Sequence, residues 1–130
     1  LSLSLSLSLS LQCIALYVSP EILSGRDMPD KASDIWAAGI TAIQLVDWDP
    51  PYKDHQPSVV CVSFHHRALL RNILISFFLF TQKAVLKICL QPSPTLRSPD
   101  RWSQELNDFI SSCLAKNPLV RPSAEMLYQV

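Results

Sequence analysis

The chain has 130 residues, of which 48% are hydrophobic and 17% charged, and its 11 basic residues balance 11 acidic ones. This length predicts one domain at most, and the composition is apolar enough to bury a core. The zero net charge gives no sign of a surface for nucleic acid or anionic lipid. Ten prolines stand against two glycines, Gly25 and Gly39, which excludes a glycine-rich phosphate-binding loop.

Cysteines and histidines are scattered along the chain. The four cysteines, at positions 13, 61, 89 and 113, form no C-x-x-C pair, and the three histidines have no carboxylate or cysteine cluster near them. The spacing therefore predicts neither a zinc site nor a redox dithiol. It indicates reduced thiols in an intracellular protein, and we expect a cytoplasmic location.

Residues 1–12 are a Leu-Ser repeat that ends at Gln12. The repeat lacks the basic region and the continuous apolar stretch of a signal peptide. Its alternation would suit a strand in principle, but low complexity is the simpler interpretation. Because a repeated CT dinucleotide encodes Leu-Ser, we hypothesise that this segment is a translated microsatellite. A chromosomal sequence without that repeat would contradict the hypothesis.

Helical patterns follow. Ser19-Pro20-Glu21 predicts a short helix, with serine as N-cap, proline at the first helical position and an acid in the first turn. From Asp34 to Val46 nearly every residue is apolar. We therefore predict a central helix that begins at Asp34, is buried on all sides and ends at Asp47. It is too short to span a membrane.

The C-terminal part predicts three more helices. Lys83–Leu90 reads as a short amphipathic helix, and prolines exclude helix from the stretch after it. Ser103 is a candidate cap for a helix with one apolar face, formed by Leu106, Phe109, Ile110, Cys113 and Leu114. Lys116 would suit the dipole at the end of that helix, and Ser123 starts the last helix. No strand is required outside residues 59–82, so the predicted fold class is mainly α.

Residues 59–82 have a different texture. Residues 73–80 are almost continuously apolar, and Arg71 cuts the stretch so that it is too short for a transmembrane helix. From these residues alone the segment is a small membrane-interaction motif, a buried strand or helix, or an insertion.

Five motifs, taken in order, resemble the C-terminal lobe of a eukaryotic protein kinase. They are Y-V-S-P-E at 17–21, D-I-W-A-A-G-I-T-A-I at 34–43, P-P-Y at 50–52, R-W-S at 101–103 and C-L-A-K-N-P-L-V-R-P-S-A at 113–124. Their details resemble the germinal-centre branch of the sterile-twenty-related Ser/Thr kinases, with the Ste20-like and lymphocyte-oriented kinases nearest. The resemblance implies a partial kinase-like fold that contains only C-lobe helices.

The resemblance also implies roles for single residues. In the family, the glutamate of the A-P-E motif pairs with an arginine near the end of the lobe. The motif here reads Ser19-Pro20-Glu21, and the corresponding pair is Glu21 and Arg121. The alternative is two solvated charges.

Three further residues with family roles lie in the predicted central helix that begins at Asp34. The Asp at position 34 holds the catalytic loop in the family, whereas by itself Asp34 would simply cap its helix. We expect Trp36 and Gly39 to be packing residues, with Gly39 permitting close backbone approach.

Leu16, Tyr17 and Val18 correspond to the loop that in the family receives the substrate residue after the phospho-acceptor. The family has Gly-Thr where this chain has Cys13-Ile14. That threonine hydrogen-bonds the catalytic aspartate, which isoleucine cannot do, so substrate recognition departs from the family pattern here.

Phosphoryl transfer in the family needs a glycine-rich loop, a strand lysine with its helix glutamate, and the H-R-D and D-F-G motifs. None of these occurs in the 130 residues. We therefore predict no catalytic, cofactor-binding or metal-binding residue in this chain, although the resemblance implies Mg-ATP for the full-length family. We expect the polypeptide itself to transfer no phosphate.

Against the family pattern, residues 59–82 are surplus. Joining Ser58 to Lys83 restores the pattern without a gap. The first residue of the segment is valine, whose codons begin with GT as an intron does, and the last is glutamine, which can be encoded by CAG, the sequence that ends an intron. Residues 75–80 are what the polypyrimidine tract before such an acceptor site would encode. We favour a translated intron over a genuine surface insertion. The predicted organisation is a repeat at 1–12, a first lobe part at 13–58, the insertion at 59–82 and a second lobe part at 83–130.

Three functional hypotheses remain open. The chain is a fragment of an intracellular Ser/Thr kinase with protein substrates, or a non-catalytic lobe that docks a partner such as another kinase domain. The third is an incorrectly assembled gene product that does not fold stably. None involves nucleic acid or a membrane span.

Overall fold

The computed structural model describes residues 16–52, 83 and 86–129, and this part of the chain contains helices and no strand. The mainly α prediction is confirmed. None of the described helices is long and apolar enough to cross a membrane. The Leu-Ser repeat at 1–12, Cys13-Ile14 and the insertion at 59–82 lie outside the described residues, so the predictions for them stay predictions.

Helices and short 3₁₀ turns alternate along the chain. In order they are α1 (Pro20–Leu23), α2 (Lys31–Asp47), a 3₁₀ turn (Pro99–Arg101), α3 (Gln104–Cys113), a second 3₁₀ turn (Pro118–Val120) and α4 (Ala124–Tyr128). Residues 83 and 86–90 are also helical, where the sequence predicts a helix at 83–90. Ser103 and Ser123 cap α3 and α4 by accepting hydrogen bonds from the backbone N–H groups of Leu106 and Met126.

Helix α2 begins at Lys31, three residues before the predicted start. The backbone N–H of Ser33 donates to Asp30 Oδ1 at 3.0 Å, and the Asp30 N–H donates to Ser33 Oγ at 3.1 Å. This capping box already satisfies the first backbone donors of the helix. The interpretation of Asp34 as the helix cap is therefore wrong, because Asp34 lies inside the first turn, where it is exposed.

One face of α2 forms the centre of the core. Trp36, Ile40 and Ile43 are buried there and pack with four residues from other segments, Ile88, Leu96, Ile110 and Leu114. The prediction that α2 is buried on all sides is wrong. Asp34, Ala38, Thr41 and Leu45 are exposed, with Leu45 74% accessible. These four residues lie on one face of the helix, and no described residue covers that face. The mostly apolar sequence did not indicate this exposure.

Gly39 lies where α2 meets the end of α3. A Cβ at this position would stand 2.8 Å from Leu114 Cγ and Cδ2 and 2.9 Å from Cys113 Cβ. Both neighbours are fully buried, so they have little room to move. The helices approach as closely as the sequence suggested, and the missing side chain is what allows it.

We expect Gly39→Ala to destabilise the protein. Alanine gains about 1 kcal/mol of helix propensity, but overpacking costs about 1–3 kcal/mol, so the free energy of unfolding should fall by about 1 kcal/mol. Urea denaturation followed by circular dichroism measures the change. Ala38→Gly, on the exposed side of the same helix, is the control and should lose only propensity. A Gly39→Ala variant more stable than the parent would mean that the two helices do not touch there.

Helix α2 ends at Asp47, as predicted, and Trp48 follows as its C-cap in the left-handed conformation, with φ of 63°. Glycine or asparagine normally takes this position, since a Cβ is strained there. The Trp48 side chain is 87% exposed and contributes little packing that could offset the strain.

Trp48→Gly is therefore expected to raise the free energy of unfolding by about 1 kcal/mol. The same urea titration tests this. Trp102→Gly is the matched control, because Trp102 is also exposed but has an extended backbone with φ of −120°. It should give no gain, and equal effects at the two sites would show that backbone strain is not the cause.

Candidate functional site

The predicted ion pair between Glu21 and Arg121 is present. Arg121 Nη1 donates to Glu21 Oε1 at 2.6 Å, and Nη2 donates to Glu21 Oε2 at 2.7 Å. Both side chains are almost completely buried. The pair joins α1 to the turn after the second 3₁₀ element, across 100 residues of sequence. The alternative of two solvated charges is wrong, since this is a bidentate, charge-assisted contact away from water.

The remaining donors of Arg121 bind backbone carbonyls. Nε donates to Ala115 O at 2.8 Å, Nη1 to Ala32 O at 2.9 Å, and Nη2 to Lys116 O at 3.4 Å. Together with Glu21 these contacts occupy all five N–H groups of the guanidinium. A buried arginine in this position has no unsatisfied donor. Its guanidinium therefore connects three segments, which are α1, the start of α2 and the segment after α3.

The Trp36 ring, which lies in the core, contacts the Arg121 guanidinium from another side. The Arg121 Cζ atom lies 5.1 Å from the centroid of the Trp36 ring, and Lys116 Nζ lies 5.7 Å from it. Two cations within this distance of one indole face are cation–π contacts. The structure thus brings Glu21, Trp36 and Arg121 together, and we call these three residues with Lys116 the anchor cluster.

Lys116 makes more contacts than the predicted interaction with the helix dipole. It lies beyond the end of α3 at Cys113, and its Nζ donates to the carbonyl of Ile88. Burial lowers the pKa of Lys116, and the nearby Cys89 sulfur partly offsets that effect. Lys116 therefore links the helix at 86–90 to Trp36 rather than serving the dipole of α3. Its place in the K-N-P motif was the only signal that could have indicated this.

The charge state of Glu21 makes stability depend on pH. Burial alone would raise its pKa, but the hydrogen bonds that it receives, those from Arg121 first, bring the pKa below the usual 4.5. A carboxyl group whose pKa is lower in the folded state stabilises the fold fully above its unfolded pKa. That contribution is lost as the pH falls below about 4.5 toward the lower folded value.

We therefore expect the stability difference between the parent and Glu21→Gln to be largest near neutral pH and to shrink on acidification below about pH 4.5. Urea titrations of both proteins across this range measure it. Other carboxyl groups titrate equally in the two proteins, so they cancel in the difference. A difference that stays constant down to strongly acidic pH would contradict the ionised pair.

The predicted substrate loop precedes α1 and is held by contacts with Tyr52 and α2. Leu16 is fully buried against Tyr17 and Tyr52, and the Tyr17 hydroxyl donates to Gln44 Oε1 on α2. Tyr17 and Val18 are half-buried, whereas Ser19 and Pro20 are buried. Leu16 thus anchors the loop, while Val18 and part of Tyr17 face outward. Sequence reasoning missed Gln44, which carries no motif signal because a polar residue on a helix is ordinary.

Tyr52 closes the other side of this loop. Its hydroxyl oxygen is buried and has no hydrogen-bond partner among the described residues, and burial raises the pKa of Tyr52. Its backbone φ is 69°, a conformation uncommon for tyrosine. The ring therefore packs on Leu16 at some cost in backbone energy.

Asp34 is not brought into the anchor cluster, and it lies on the exposed face of α2. Gly39 lies five residues further along the same helix, at the contact with the end of α3. Within the described ranges, no group of three or more His, Cys, Asp or Glu side chains could hold a metal ion.

Comparisons with known proteins agree with this geometry. The family model "Protein kinase domain" matches residues 7–130. The chain is 37% identical over 111 residues to the serine/threonine-protein kinase dst3 of Dictyostelium discoideum, covering 85% of this chain and 15% of that protein. It is 34% identical over 108 residues to the serine/threonine-protein kinase cst-1 of Caenorhabditis elegans, covering 83% and 17%.

Human myosin-IIIa is 34% identical over 117 residues, which cover 87% of this chain and 6% of that protein. The chain thus spans less than a fifth of the length of each of these relatives. The motifs, the helical architecture and the relatives lead to one assignment. The chain belongs to the protein kinase domain family, in its germinal-centre, sterile-twenty-related Ser/Thr branch.

Proposed function

We propose that this chain is the C-lobe portion of a Ser/Thr protein kinase and holds the loop that receives a protein substrate. In the complete enzyme that kinase phosphorylates Ser or Thr of cytoplasmic signalling proteins with Mg-ATP. The buried Glu21–Arg121 pair carries the proposal. It fixes α1, and with it the preceding loop at 16–18, to the helical core.

Within that loop the proposal gives different tasks to its three residues. Leu16 is fully buried and Tyr17 is bonded to Gln44, so they position the loop. Val18 is half-buried and makes no side-chain hydrogen bond by its chemistry. We assign it, with the outer edge of Tyr17, the contact with an apolar substrate side chain.

The residues of this chain do not fit Mg-ATP. The sequence has no glycine-rich loop, H-R-D or D-F-G motif, and these supply the phosphate and metal contacts of protein kinases. No step of phosphoryl transfer is therefore assigned to these residues. The proposal includes that the 130-residue chain alone is catalytically inactive.

A chimaera tests the proposal. Residues 16–58 joined to 83–130 replace the corresponding segment of an active relative such as dst3, and phosphorylation of a Ser/Thr peptide is measured with Mg-ATP. We expect activity in the chimaera and none in the chain alone. A second chimaera that keeps 59–82 should be less stable, which tests whether that segment is surplus.

Two controls accompany the chimaera. Arg121→Met should abolish peptide phosphorylation by releasing the loop, whereas the exposed Arg97→Met should not. Three results would contradict the proposal: a folded but inactive chimaera, a chimaera whose activity does not depend on Arg121, and phosphate transfer by the purified 130-residue chain.

The uncovered face of α2 favours a second candidate function, a non-catalytic lobe that docks another kinase domain. Stable association with a kinase domain, measured by sedimentation and lost with Leu45→Asp, would support it. Cooperative thermal unfolding of the chain separates both candidates from a product that does not fold stably.

A further inference from the structure

A cavity of about 390 Å³ lies beside the anchor cluster and is not used by the proposed function. Its wall includes Pro20 and Glu21 of α1, Arg26 after that helix, Cys89 and Lys116. Cavities that bind small ligands have volumes of roughly 300–1,000 Å³ and combine apolar walls with a few polar groups. This cavity is therefore large enough for a small organic molecule.

Chemically, the cavity wall combines a nucleophile with cations. Cys89 is half-buried and unoxidised, and its Sγ donates a weak hydrogen bond to Pro20 O at 3.6 Å. Lys116 lines the same cavity, and its Nζ donates to the backbone carbonyl of Ile88, the residue before Cys89. Arg26 adds a second, exposed positive charge. Glu21 is neutralised by Arg121, so Asp27 is the one lining acid whose charge opposes an anionic ligand.

We propose that this cavity is a site of reversible thiol modification, in which Cys89 forms a mixed disulfide with glutathione. Cys89 Sγ attacks one sulfur of glutathione disulfide, a new S–S bond forms, and the S–S bond of the reagent breaks. The second glutathione leaves as a thiol and takes the proton that Cys89 gives up. One disulfide is consumed and one is formed, so no further oxidant is needed. Lys116 and Arg26 hold the carboxylates of glutathione.

Modification also removes the Cys89 thiol that binds Pro20 O. The bound tripeptide then lies against Glu21, at the attachment point of the substrate loop. The site would thus let the thiol redox state act on the segment that the anchor cluster holds.

The test treats the folded 130-residue chain with glutathione disulfide or with the neutral hydroxyethyl disulfide and locates adducts by peptide mass spectrometry. Cys13→Ser and Cys61→Ser are introduced so that only Cys89 and Cys113 remain. We expect Cys89 to react at least about tenfold faster than the fully buried Cys113. For each reagent the rate of Cys89 modification is measured in the folded chain and in urea. The ratio of the glutathione disulfide rate to the hydroxyethyl disulfide rate should be about tenfold higher in the folded chain, because only there do the cations recognise the anionic reagent.

Two variants test the recognition. Arg26→Gln and Lys116→Met should each reduce the ratio of the rate with the anionic reagent to the rate with the neutral reagent. Circular dichroism checks that each variant is folded, and Arg26→Gln is on the surface, where folding is not at risk. The proposal is overturned if Cys89 stays unmodified while the unfolded chain reacts. It is also overturned if the two reagents keep the same rate ratio in the folded and unfolded chain.

Discussion

Replacing Arg121 by methionine should lower the free energy of unfolding by about 3–5 kcal/mol, the usual cost of removing one partner from a buried ion pair. Methionine leaves the Glu21 carboxylate buried without its guanidinium. It also leaves the carbonyls of Ala32 and Ala115 without the donors that Arg121 supplies at 2.9 Å and 2.8 Å. Glu21→Gln should cost less, since the amide oxygen still accepts a hydrogen bond from Arg121.

A double-mutant cycle separates the pair from the other contacts of Arg121. The double variant Glu21→Gln with Arg121→Met should be more stable than the sum of the single losses predicts, because it leaves no uncompensated buried charge. The control is Arg97→Met, which breaks an ion pair of 3.5 Å in which Arg97 is 60% exposed. That loss should stay below about 1 kcal/mol. Equal losses at Arg121 and Arg97 would show that the buried pair does not stabilise the fold.

Local signals were sufficient for much of the fold. The starts of α1 and α3 follow from a serine at the N-cap position and an acid in the first turn, which act within one or two turns. The Ser103 side chain caps α3 as predicted, whereas the Ser19 side chain makes no capping hydrogen bond to α1, and α3 ends at Cys113 rather than near Lys116. The Glu21–Arg121 pair joins residues 100 positions apart. It was predictable only because both ends lie in recognisable kinase motifs.

The errors have physical causes as well. The start of α2 was missed because Asp30 and Ser33 form a capping box whose residue types are reversed from the common pattern. The burial of α2 was overestimated because an apolar pattern shows which residues could be covered, not which neighbours are there to cover them. Lys116 and Gln44 were missed because their partners, the Ile88 carbonyl and the Tyr17 hydroxyl, are distant in sequence.

The second large effect is expected at Trp36, which is completely buried in the core. Trp36→Ala should cost about 3–5 kcal/mol, since it removes the largest fully buried side chain among the described residues and leaves a cavity. It also removes the ring that Arg121 and Lys116 approach. Trp48→Ala is the matched control, because that tryptophan is solvent-exposed, and it should change stability by no more than about 0.5 kcal/mol.

Trp36→Phe separates packing from ring electrostatics. The indole Nε1 has no hydrogen-bond partner in the described part of the chain, so phenylalanine leaves no polar group stranded. The loss should be about 1–2 kcal/mol, from the smaller volume and the weaker attraction of phenylalanine for cations. In a Lys116→Met background the same substitution should cost at least about 0.5 kcal/mol less, because one of the two cation contacts is already gone. If the cost is the same in both backgrounds, the Lys116 contact with Trp36 contributes nothing to stability, and the loss in Trp36→Phe comes from the smaller volume and the Arg121 contact alone.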